Sequence, residues 1–321
     1  MKIYMTGATG FIGKKIVRKL RDEEHDVIAL LLPDEAHDFP DVTIVRGDIT
    51  RPESLEGTMC ECDTVVHLAG AVGYGLKMRE SKKINKEGTY NVAREAVRSG
   101  IRRFIHFSSV SVYGRVPDVA ITEEFPLTKI GDPYGDTKID AEHVLNGFVR
   151  DGFLDLTIIR PTVIYGPGDD KFLPKLIENI RSGRARIIGK GDNSVDLIHV
   201  SDVADCVSFL LREERTIGKI YNVTNRNNPT WKELLELIAT EMGLPVPDKH
   251  IPYTLAFLVA GVMECVSFFS KKAPRLTRYA VRVVGRQYHY LTNRLQEDGF
   301  TPVMDLREGI RRCVREYLAA E

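Results

Sequence analysis

Tyr134 and Lys138 stand four residues apart in the segment YGDTK, directly after a proline. Residues at positions i and i+4 share one face of a helix, so the phenol and the ammonium would project together. Tyrosine has a pKa of about 10 and is a poor base at neutral pH, but a neighbouring ammonium stabilises the phenolate and lowers that pKa. The pair could then exchange a proton with a substrate alcohol or carbonyl. One turn of a solvated helix would give the same spacing.

Ser108 and Ser109 precede this pair, in the segment FSSVSVYG that follows the apolar run RRFIHF. Such a run is typical of a buried strand. In a parallel sheet, ligands bind at the carboxyl ends of the strands. A serine hydroxyl at that end can hydrogen-bond a substrate oxygen as its charge changes. We therefore expect both serines near Tyr134.

Three glycines, Gly7, Gly10 and Gly13, follow the first apolar run in MTGATGFIG and open an amphipathic segment. A glycine turn lets the backbone approach a pyrophosphate, and the helix that follows supplies free N–H groups and partial positive charge. Tight structural turns also use glycine. Because a strand and a helix are predicted on either side, the pattern favours a dinucleotide site.

The coenzyme type is left open by the end of the second strand. An acid there favours the free ribose 2′-hydroxyl of NAD, whereas an arginine favours the 2′-phosphate of NADP. The chain reads Leu-Leu-Pro before Asp34, with no arginine nearby, and Lys14 and Lys15 open the first helix. NAD or NADP is expected, with NAD preferred. Asp48, in RGDIT, could accept a hydrogen bond from adenine or be a turn aspartate.

Apolar runs alternate with amphipathic helical segments through the first half of the chain. Strands that are apolar on both faces imply a parallel sheet covered on both sides. The fold class is therefore α/β, a doubly wound parallel sheet of the Rossmann type with a smaller, mostly helical C-terminal substrate cap. We predict a dinucleotide-binding domain over 1–165, sheet-completing returns near 192–225, and a substrate-binding cap over most of 166–321. The predicted strands are 2–6, 26–32, 42–48, 63–70, 102–109 and 154–161, and the late helices are 230–242, 252–270, about 275–286 and 305–319.

The bulk composition excludes some partners. Among 321 residues, 45 lysines and arginines balance 45 aspartates and glutamates, so no basic face for nucleic acid is indicated. Cys60 and Cys62 lack the further ligands of a zinc site, and no metal is expected. The N-terminal apolar run is too short for a signal peptide, so a reduced, cytoplasmic protein is expected. The apolar stretch 251–270 contains Glu264 and predicts either a largely buried cap helix or one that contacts a membrane surface.

The glycine turn, the strand-end serines and the Tyr-Lys pair occur in an order that resembles the extended short-chain dehydrogenases/reductases. Further matching segments are GDI, HLAG, NKEGTYN, IRPTVIYGPGD, DLIHVSDVA and YNVT. The resemblance implies that Ser109, Tyr134 and Lys138 are catalytic, and that Lys138 also binds the nicotinamide ribose. It implies a homodimer formed through helices near 79–100 and 132–150. The implied cofactor contacts are Gly7, Gly10, Phe11, Ile12, Gly13, Asp48, Ile49, Leu68, Ala69, Gly70, Asn85, Ser108, Pro161, Thr162 and Val163.

The residues leave more than one substrate class open. Similar nucleotide-sugar epimerases usually carry an arginine where this chain has Val195, in SVDLIHV. The tetrad at 193–196 is closer to the 3β-hydroxysteroid dehydrogenase branch, which implies hydride transfer with an apolar small-molecule alcohol or ketone. A nucleotide-sugar epimerase or dehydratase stays an alternative, because Arg275 and Arg278 could bind a phosphate. A non-catalytic NAD(P)-binding protein is a third hypothesis. His67 and His199 are assigned to strand packing.

Overall fold

A central sheet of seven parallel strands organises the computed structural model, which describes residues 1–73, 76–114, 118–270 and 276–319, without the side chains of 268–270 and 279. The predicted doubly wound α/β fold is confirmed. The strands are β1 Lys2–Thr6, β2 Asp26–Leu31, β3 Thr43–Arg46, β4 Thr64–His67, β5 Arg103–Phe107, β6 Ala120–Ile121, β7 Asp155–Pro161, β8 Val163–Tyr165, β9 Ile187–Ile188, β10 Leu197–His199, β11 Ile220–Val223, β12 His250–Ile251 and β13 His289–Tyr290. Across the sheet they run in the order β11-β7-β5-β4-β1-β2-β3.

Helices cover both faces of this sheet. They are α1 Phe11–Asp22, α2 Met78–Ser81, α3 Thr89–Arg98, α4 Pro133–Arg150, α5 Leu173–Arg181, α6 Val200–Arg212, α7 Trp231–Glu241, α8 Tyr253–Ser270, α9 Arg278–Gly285, α10 Asn293–Glu297 and α11 Leu306–Ala319. A π-helical stretch, Lys82–Gly88, joins α2 to α3. One core cluster packs α1 and α6 on one face, and a second packs α3 and α4 on the other. Strands buried on both faces explain the continuous apolar runs in the sequence.

The topological switch point lies between β1 and β4, because the chain leaves β1 towards β2 and later returns to β4 on the other side. The loops after these two strands are tied together. The Leu68 N–H donates to the Thr6 carbonyl at 3.2 Å, and the Ala69 N–H donates to Thr6 Oγ1 at 3.1 Å. Ligands of open α/β sheets bind at such a crevice. The glycine turn and the segment HLAG therefore meet at its mouth.

The later elements form their own apolar core, which joins β8, β10, α5, α7 and α11. Within it, β10 pairs in parallel with β8, with Leu197 opposite Val163. This pairing carries the residues just before β10 to the carboxyl end of β7. The division of the chain at residue 165 and the role of the later part as a substrate cap stay predictions.

Helix α8 packs on one side only. Ala256 and Ala260 are buried against Val281 of α9, whereas Leu258 and Val262 are more than half exposed on the opposite face. The prediction of a largely buried cap helix is therefore wrong, because the face of α8 that carries Leu258 and Val262 is exposed. No helix in the described part of the chain is long and apolar enough to cross a bilayer. Contact of 251–270 with a membrane surface stays a prediction, as does a homodimer.

Candidate active site

One cavity of about 1040 Å³ extends along the carboxyl ends of the strands, from the glycine turn to Tyr134. It brings together nearly all of the residues that the sequence analysis selected. Of those residues, its lining includes Gly7, Gly10, Phe11, Ile12, Gly13, Asp48, Ile49, Leu68, Ala69, Gly70, Ser108, Ser109, Tyr134, Lys138, Pro161, Thr162 and Val163. The cavity is large enough for a dinucleotide and a second small molecule.

The glycine turn has two positions that the fold itself requires. Gly7 has φ +74°, and a Cβ there would lie 2.8 Å from the Ala69 nitrogen. A Cβ at Gly13 would lie 2.1 Å from the Gly7 carbonyl oxygen. Gly10 differs, because it has φ −66° and its Cβ would meet only the Gly7 oxygen at 3.4 Å. The fold therefore has room for a side chain at Gly10. This indicates that glycine is needed here to bind a ligand rather than to form the turn.

Gly10→Asp is expected to weaken NAD(P) binding by at least about tenfold, because a carboxylate would lie beside the pyrophosphate at the start of α1. Isothermal titration would measure the affinity, and thermal unfolding would show that the fold is retained. Gly10→Ala is the matched control and should bind far more tightly than Gly10→Asp. Undiminished NAD(P) binding by the aspartate variant would contradict this placement of the pyrophosphate.

Ser109, Tyr134 and Lys138 meet because the ends of β5 and α4 lie together. Ser109 follows β5, and its Oγ accepts a hydrogen bond from the Ser111 N–H at 3.2 Å. Tyr134 lies in the first turn of α4, which Asp132 caps by accepting from the Gly135 N–H at 3.1 Å. Lys138 is buried one turn later, and its Nζ donates to the Phe107 carbonyl at 2.7 Å. The lysine is thus held against the end of β5.

The electrostatics of the tyrosine differ from the prediction. Burial raises the pKa of Tyr134, a hydrogen bond with Ser109 partly opposes this rise, and Asp132 adds to it. Burial lowers the pKa of Lys138 to about 8, although the Glu142 carboxylate acts in the other direction. The prediction that Lys138 lowers the pKa of Tyr134 is therefore wrong for this arrangement, because burial dominates and the opposing contact comes from Ser109. Tyr134 is a neutral phenol at neutral pH and can donate a proton.

Two histidines lie beneath Lys138. His67 and His106 stack with their ring centres 5.5 Å apart, and both are fully buried. His67 Nδ1 hydrogen-bonds Thr6 Oγ1 at 2.7 Å, and its Nε2 hydrogen-bonds Thr89 Oγ1 at 3.0 Å. Burial lowers the pKa of His67 to about 3, so the ring is neutral. These contacts agree with packing between strands. His199 has a structural role of a different kind, because its Nδ1 accepts from the Ser201 N–H and caps α6.

A buried ion pair behind Ser108 was not found from the sequence. Arg160 Nε and Nη2 donate to the two carboxylate oxygens of Glu142 at 2.9 and 2.5 Å, and both side chains are almost fully buried. Ser108 Oγ donates to the same carboxylate at 2.5 Å. Arg160 Nη1 also donates to Tyr113 Oη at 2.8 Å. The pair fixes the cavity wall beside Ser109 by joining β7 to α4.

Asn85 is the exception among the predicted cofactor contacts, because its buried side chain does not line the cavity. Its Oδ1 accepts from the Ala71 N–H at 2.7 Å, and its Nδ2 donates to Thr137 Oγ1 at 2.9 Å. The amide is occupied by the loop after β4 and by α4. It can position Gly70 and Lys138, and its direct contact with the coenzyme stays a prediction.

Glu35, rather than Asp34, presents the carboxylate at the end of β2. Glu35 lines the cavity, its Oε2 accepts from the Leu32 N–H at 2.9 Å, and its Oε1 accepts from Thr9 Oγ1. An arginine does lie nearby, contrary to the prediction from the sequence, since Arg46 Nη1 donates to the Leu32 and Glu35 carbonyls. At the same end, Asp48 Oδ1 accepts from the Thr50 N–H at 2.8 Å, as a turn aspartate does. Its contact with adenine stays a prediction.

The far end of the cavity is mainly apolar. The described lining of the whole cavity includes no arginine, and the lysines in that lining are Lys83, Lys138 and Lys171. Arg278, a predicted candidate for phosphate binding, donates to Glu264 from both its backbone N–H and its Nε. Arg275 lies outside the described residues. The apolar and aromatic residues at this end are Val110, Ile130, Phe172, Val195, Trp231, Ala280, Val283, Val284, Tyr288 and Tyr290.

Asp196 is the buried carboxyl group at this end, and burial raises its pKa to about 7. The Asn228 Nδ2 donates to its Oδ1 at 2.8 Å.

Because the folded state holds the Asp196 proton to higher pH than the unfolded state, whose carboxyl has the ordinary pKa of 3.8, the stability of the fold falls as pH rises between those two pKa values. The melting temperature of Asp196→Asn should therefore rise relative to that of the natural protein as pH increases between these two pKa values. At higher pH the difference in melting temperature should stay constant. Melting temperatures measured across both pH ranges would show it, and a constant difference between the two pKa values would contradict the raised pKa.

Comparisons with known proteins agree with this geometry. A family model described as the NAD dependent epimerase/dehydratase family matches residues 3–224. The 2-alkyl-3-oxoalkanoate reductase of Stenotrophomonas maltophilia is 28% identical over 97% of this chain and 98% of its own length. The decarboxylating sterol-4-alpha-carboxylate 3-dehydrogenase of Mus musculus is 28% identical over 98% and 91%. The structure of MoeE5 in complex with UDP-glucuronic acid and NAD is similar with a TM-score of 0.77, at 25% identity and 100% coverage of both chains.

Proposed function

The chain belongs to the NAD-dependent epimerase/dehydratase family, and from that premise we propose that it interconverts an apolar secondary alcohol and its ketone. The family assignment confirms the predicted extended short-chain dehydrogenase/reductase, which is an NAD(P)-dependent enzyme. The observation that carries the finer proposal is the continuous cavity. It joins the glycine turn, Tyr134 and an apolar far end whose described lining contains no arginine.

The residues present fit a dinucleotide. Gly7 and Gly13 leave no space for a Cβ, while Gly10 faces the open cavity beside the N-terminus of α1. When bound there, NAD(P) supplies hydride exchange at its nicotinamide C4. Lys138 would hold the nicotinamide ribose, as the resemblance implies, and Thr162 and Val163 would flank the ring.

The chain's own part in the chemistry is to move one proton and orient one oxygen. Tyr134, a neutral phenol with a raised pKa, would donate its proton to the ketone oxygen in reduction and accept it back in oxidation. Ser109 would hydrogen-bond the same oxygen from the opposite side as its charge changes. Because Ser109 lies close enough to Tyr134 to lower its pKa, the two hydroxyls are placed to share a substrate oxygen.

The apolar substrate is supported by the electrostatics of the cavity. A nucleotide sugar brings two phosphate charges, and a buried diphosphate needs cations to offset its desolvation. Apart from Lys138, the cations of the described lining are Lys83 and Lys171, while the acidic residues Asp169 and Asp170 also line the cavity. Two relatives are named for a 2-alkyl-3-oxoalkanoate and a sterol-4-alpha-carboxylate, and the alkyl and sterol parts of these carboxylates agree with an apolar pocket. A nucleotide-sugar epimerase is the second candidate, since MoeE5 holds UDP-glucuronic acid and NAD.

A coenzyme-loaded screen would decide between these substrates. We expect nicotinamide absorbance to change with sterols or alkyl oxoalkanoates, and UDP to give no thermal shift by linkage. Product stereochemistry must be followed as well, because epimerisation leaves the absorbance unchanged. A UDP-dependent rise in melting temperature, together with an epimerised sugar product, would favour the second candidate. Binding of NAD(P) without turnover of any substrate would favour a non-catalytic protein.

NAD is expected to bind at least about tenfold more tightly than NADP, because Glu35 would face the 2′-phosphate. Glu35→Gln should reduce this preference mainly by improving NADP affinity. Asp34→Asn is the matched control, since Asp34 is exposed and does not line the cavity. Fluorescence titrations with both coenzymes would measure the ratios. If Asp34→Asn changed the ratio of NAD to NADP affinity and Glu35→Gln did not, Asp34 rather than Glu35 would be the residue that selects the coenzyme.

A further inference from the structure

One wall of the far end of the cavity is built by two paired segments, 193–196 and 228–231. The Val195 N–H donates to the Pro229 carbonyl at 2.8 Å, and the Trp231 N–H donates to the Asn193 carbonyl at 3.0 Å. Asn228 locks the pairing, because its Oδ1 accepts from the Leu197 N–H at 3.0 Å and its Nδ2 donates to Asp196 Oδ1. This wall is therefore held firmly by hydrogen bonds.

Two side chains of the wall line the cavity and have unused hydrogen-bonding capacity. Trp231 is 7% exposed and lines the cavity, and its Nε1 has no hydrogen-bond partner among the described residues. An indole N–H can only donate, and a buried donor without an acceptor is destabilising. Asp196 is 9% exposed and lines the same cavity, and its carboxyl accepts from Asn228 Nδ2 and from the Tyr290 backbone N–H but has further acceptor capacity. A donor and an acceptor are thus present on one wall.

We propose that Asp196 and Trp231 form a subsite for an uncharged hydroxyl group of the substrate, at a carbon other than the reacting one. A hydroxyl both accepts and donates, so it would accept from Trp231 Nε1 and donate to Asp196. A carboxylate or phosphate would instead meet the Asp196 carboxyl with no lining arginine among the described residues. The inference rests on the proposed function and adds a second, uncharged hydroxyl group to its apolar alcohol or ketone.

The position of the wall supports a role in specificity. The Asp196 carbonyl accepts from the Val163 N–H at 3.2 Å, so the wall adjoins the segment expected to flank the nicotinamide. A substrate held at both its reacting oxygen and a second hydroxyl would be fixed in orientation. A site built to hydrogen-bond a hydroxyl also discriminates strongly against the analogue that lacks it.

Kinetics with matched alcohols would test the subsite. The probes are cyclohexanol, which has one hydroxyl, and 1,2-, 1,3- and 1,4-cyclohexanediol, whose second hydroxyl lies at different distances from the first. The assays use the full chain with NAD. We expect at least one diol to have a KM about 3- to 10-fold below that of cyclohexanol, the size of one or two neutral hydrogen bonds. Trp231→Phe and Asp196→Asn should each remove this advantage. Asp192→Asn, at an exposed acid outside the cavity lining, should keep it.

Fluorescence gives a second readout that does not need turnover. Trp231 is the single tryptophan of the chain, so its emission reports on this wall alone. Without coenzyme, a diol should shift the emission more than cyclohexanol, and Asp196→Asn should abolish the difference. Equal KM values and equal shifts for all four alcohols would overturn the subsite while leaving the proposed function intact. Absence of turnover with a diol-specific shift would instead count against the proposed function alone.

Discussion

Tyr134→Phe is expected to lower kcat by about 10²- to 10⁴-fold while coenzyme still binds, because the variant loses the proton donor but keeps the ring. Tyr134 lines the cavity, and Ser109 lies close enough to act on the pKa of its hydroxyl. Its chain neighbours hold it in place through the Asp132 cap and the buried Lys138 rather than through the hydroxyl. The substitution should therefore leave the fold intact. Steady-state kinetics with saturating coenzyme would measure the loss.

Tyr165→Phe is the matched control for this prediction. Tyr165 is fully buried, and its hydroxyl has no hydrogen-bond partner among the described residues, so its removal deletes no contact seen in the structure. Coenzyme affinity can be followed for every variant through quenching of Trp231, which lines the same cavity. Normal turnover by Tyr134→Phe would remove Tyr134 from its proposed role. An equal loss in Tyr165→Phe would point to a general effect of altering buried tyrosines.

Glu142→Leu is expected to lower the free energy of unfolding by about 3–5 kcal/mol, because it leaves the buried Arg160 guanidinium without its carboxylate. Glu142 also raises the pKa of Arg160, which reflects the same attraction. Arg160 keeps its contacts with Tyr113 Oη and the Glu123 carbonyl, which favours the lower end of this range. Urea unfolding of the full chain would measure the change through the transition midpoint.

Two further variants make this result specific. Glu56→Ala removes an exposed partner of Arg98 and should change the free energy of unfolding by less than about 1 kcal/mol. The double variant Glu142→Leu/Arg160→Met removes both buried charges and should recover much of the lost stability. An unchanged unfolding midpoint for Glu142→Leu would show that water reaches Arg160. A double variant no more stable than Glu142→Leu would show that the side-chain shapes matter more than the charges.

The coenzyme end of the cavity shows why neighbouring residues in the sequence can mislead. Asp34 stands where an acid is expected after the second strand, but the turn exposes it and presents Glu35 instead. Arg46 reaches the same turn from β3, which pairs with β2 in the sheet. Both facts depend on how the chain bends after Leu32 and on strand pairing. Spacing along the sequence carries no information on either.

The sequence by itself determined the features that depend on local chemistry. Apolar runs of strand length, the glycine turn and the four-residue spacing of Tyr134 and Lys138 reflect backbone periodicity and sterics, which act over a few residues. They predicted the doubly wound sheet and nearly the whole coenzyme cavity. The motif also selected Asn85, but only the packed structure shows that its amide is occupied by Ala71 and Thr137.

Only the tertiary structure decided the partners and the charge states. Glu142 finds Arg160 across α4 and β7, and Asp196 meets Asn228 across two paired segments. Burial, rather than the nearby lysine, sets the direction of the Tyr134 pKa shift. The physical reason is that desolvation and long-range hydrogen bonds depend on which groups surround a side chain once the chain is folded. A linear pattern gives the residue and its local geometry, while the surroundings arise only from packing.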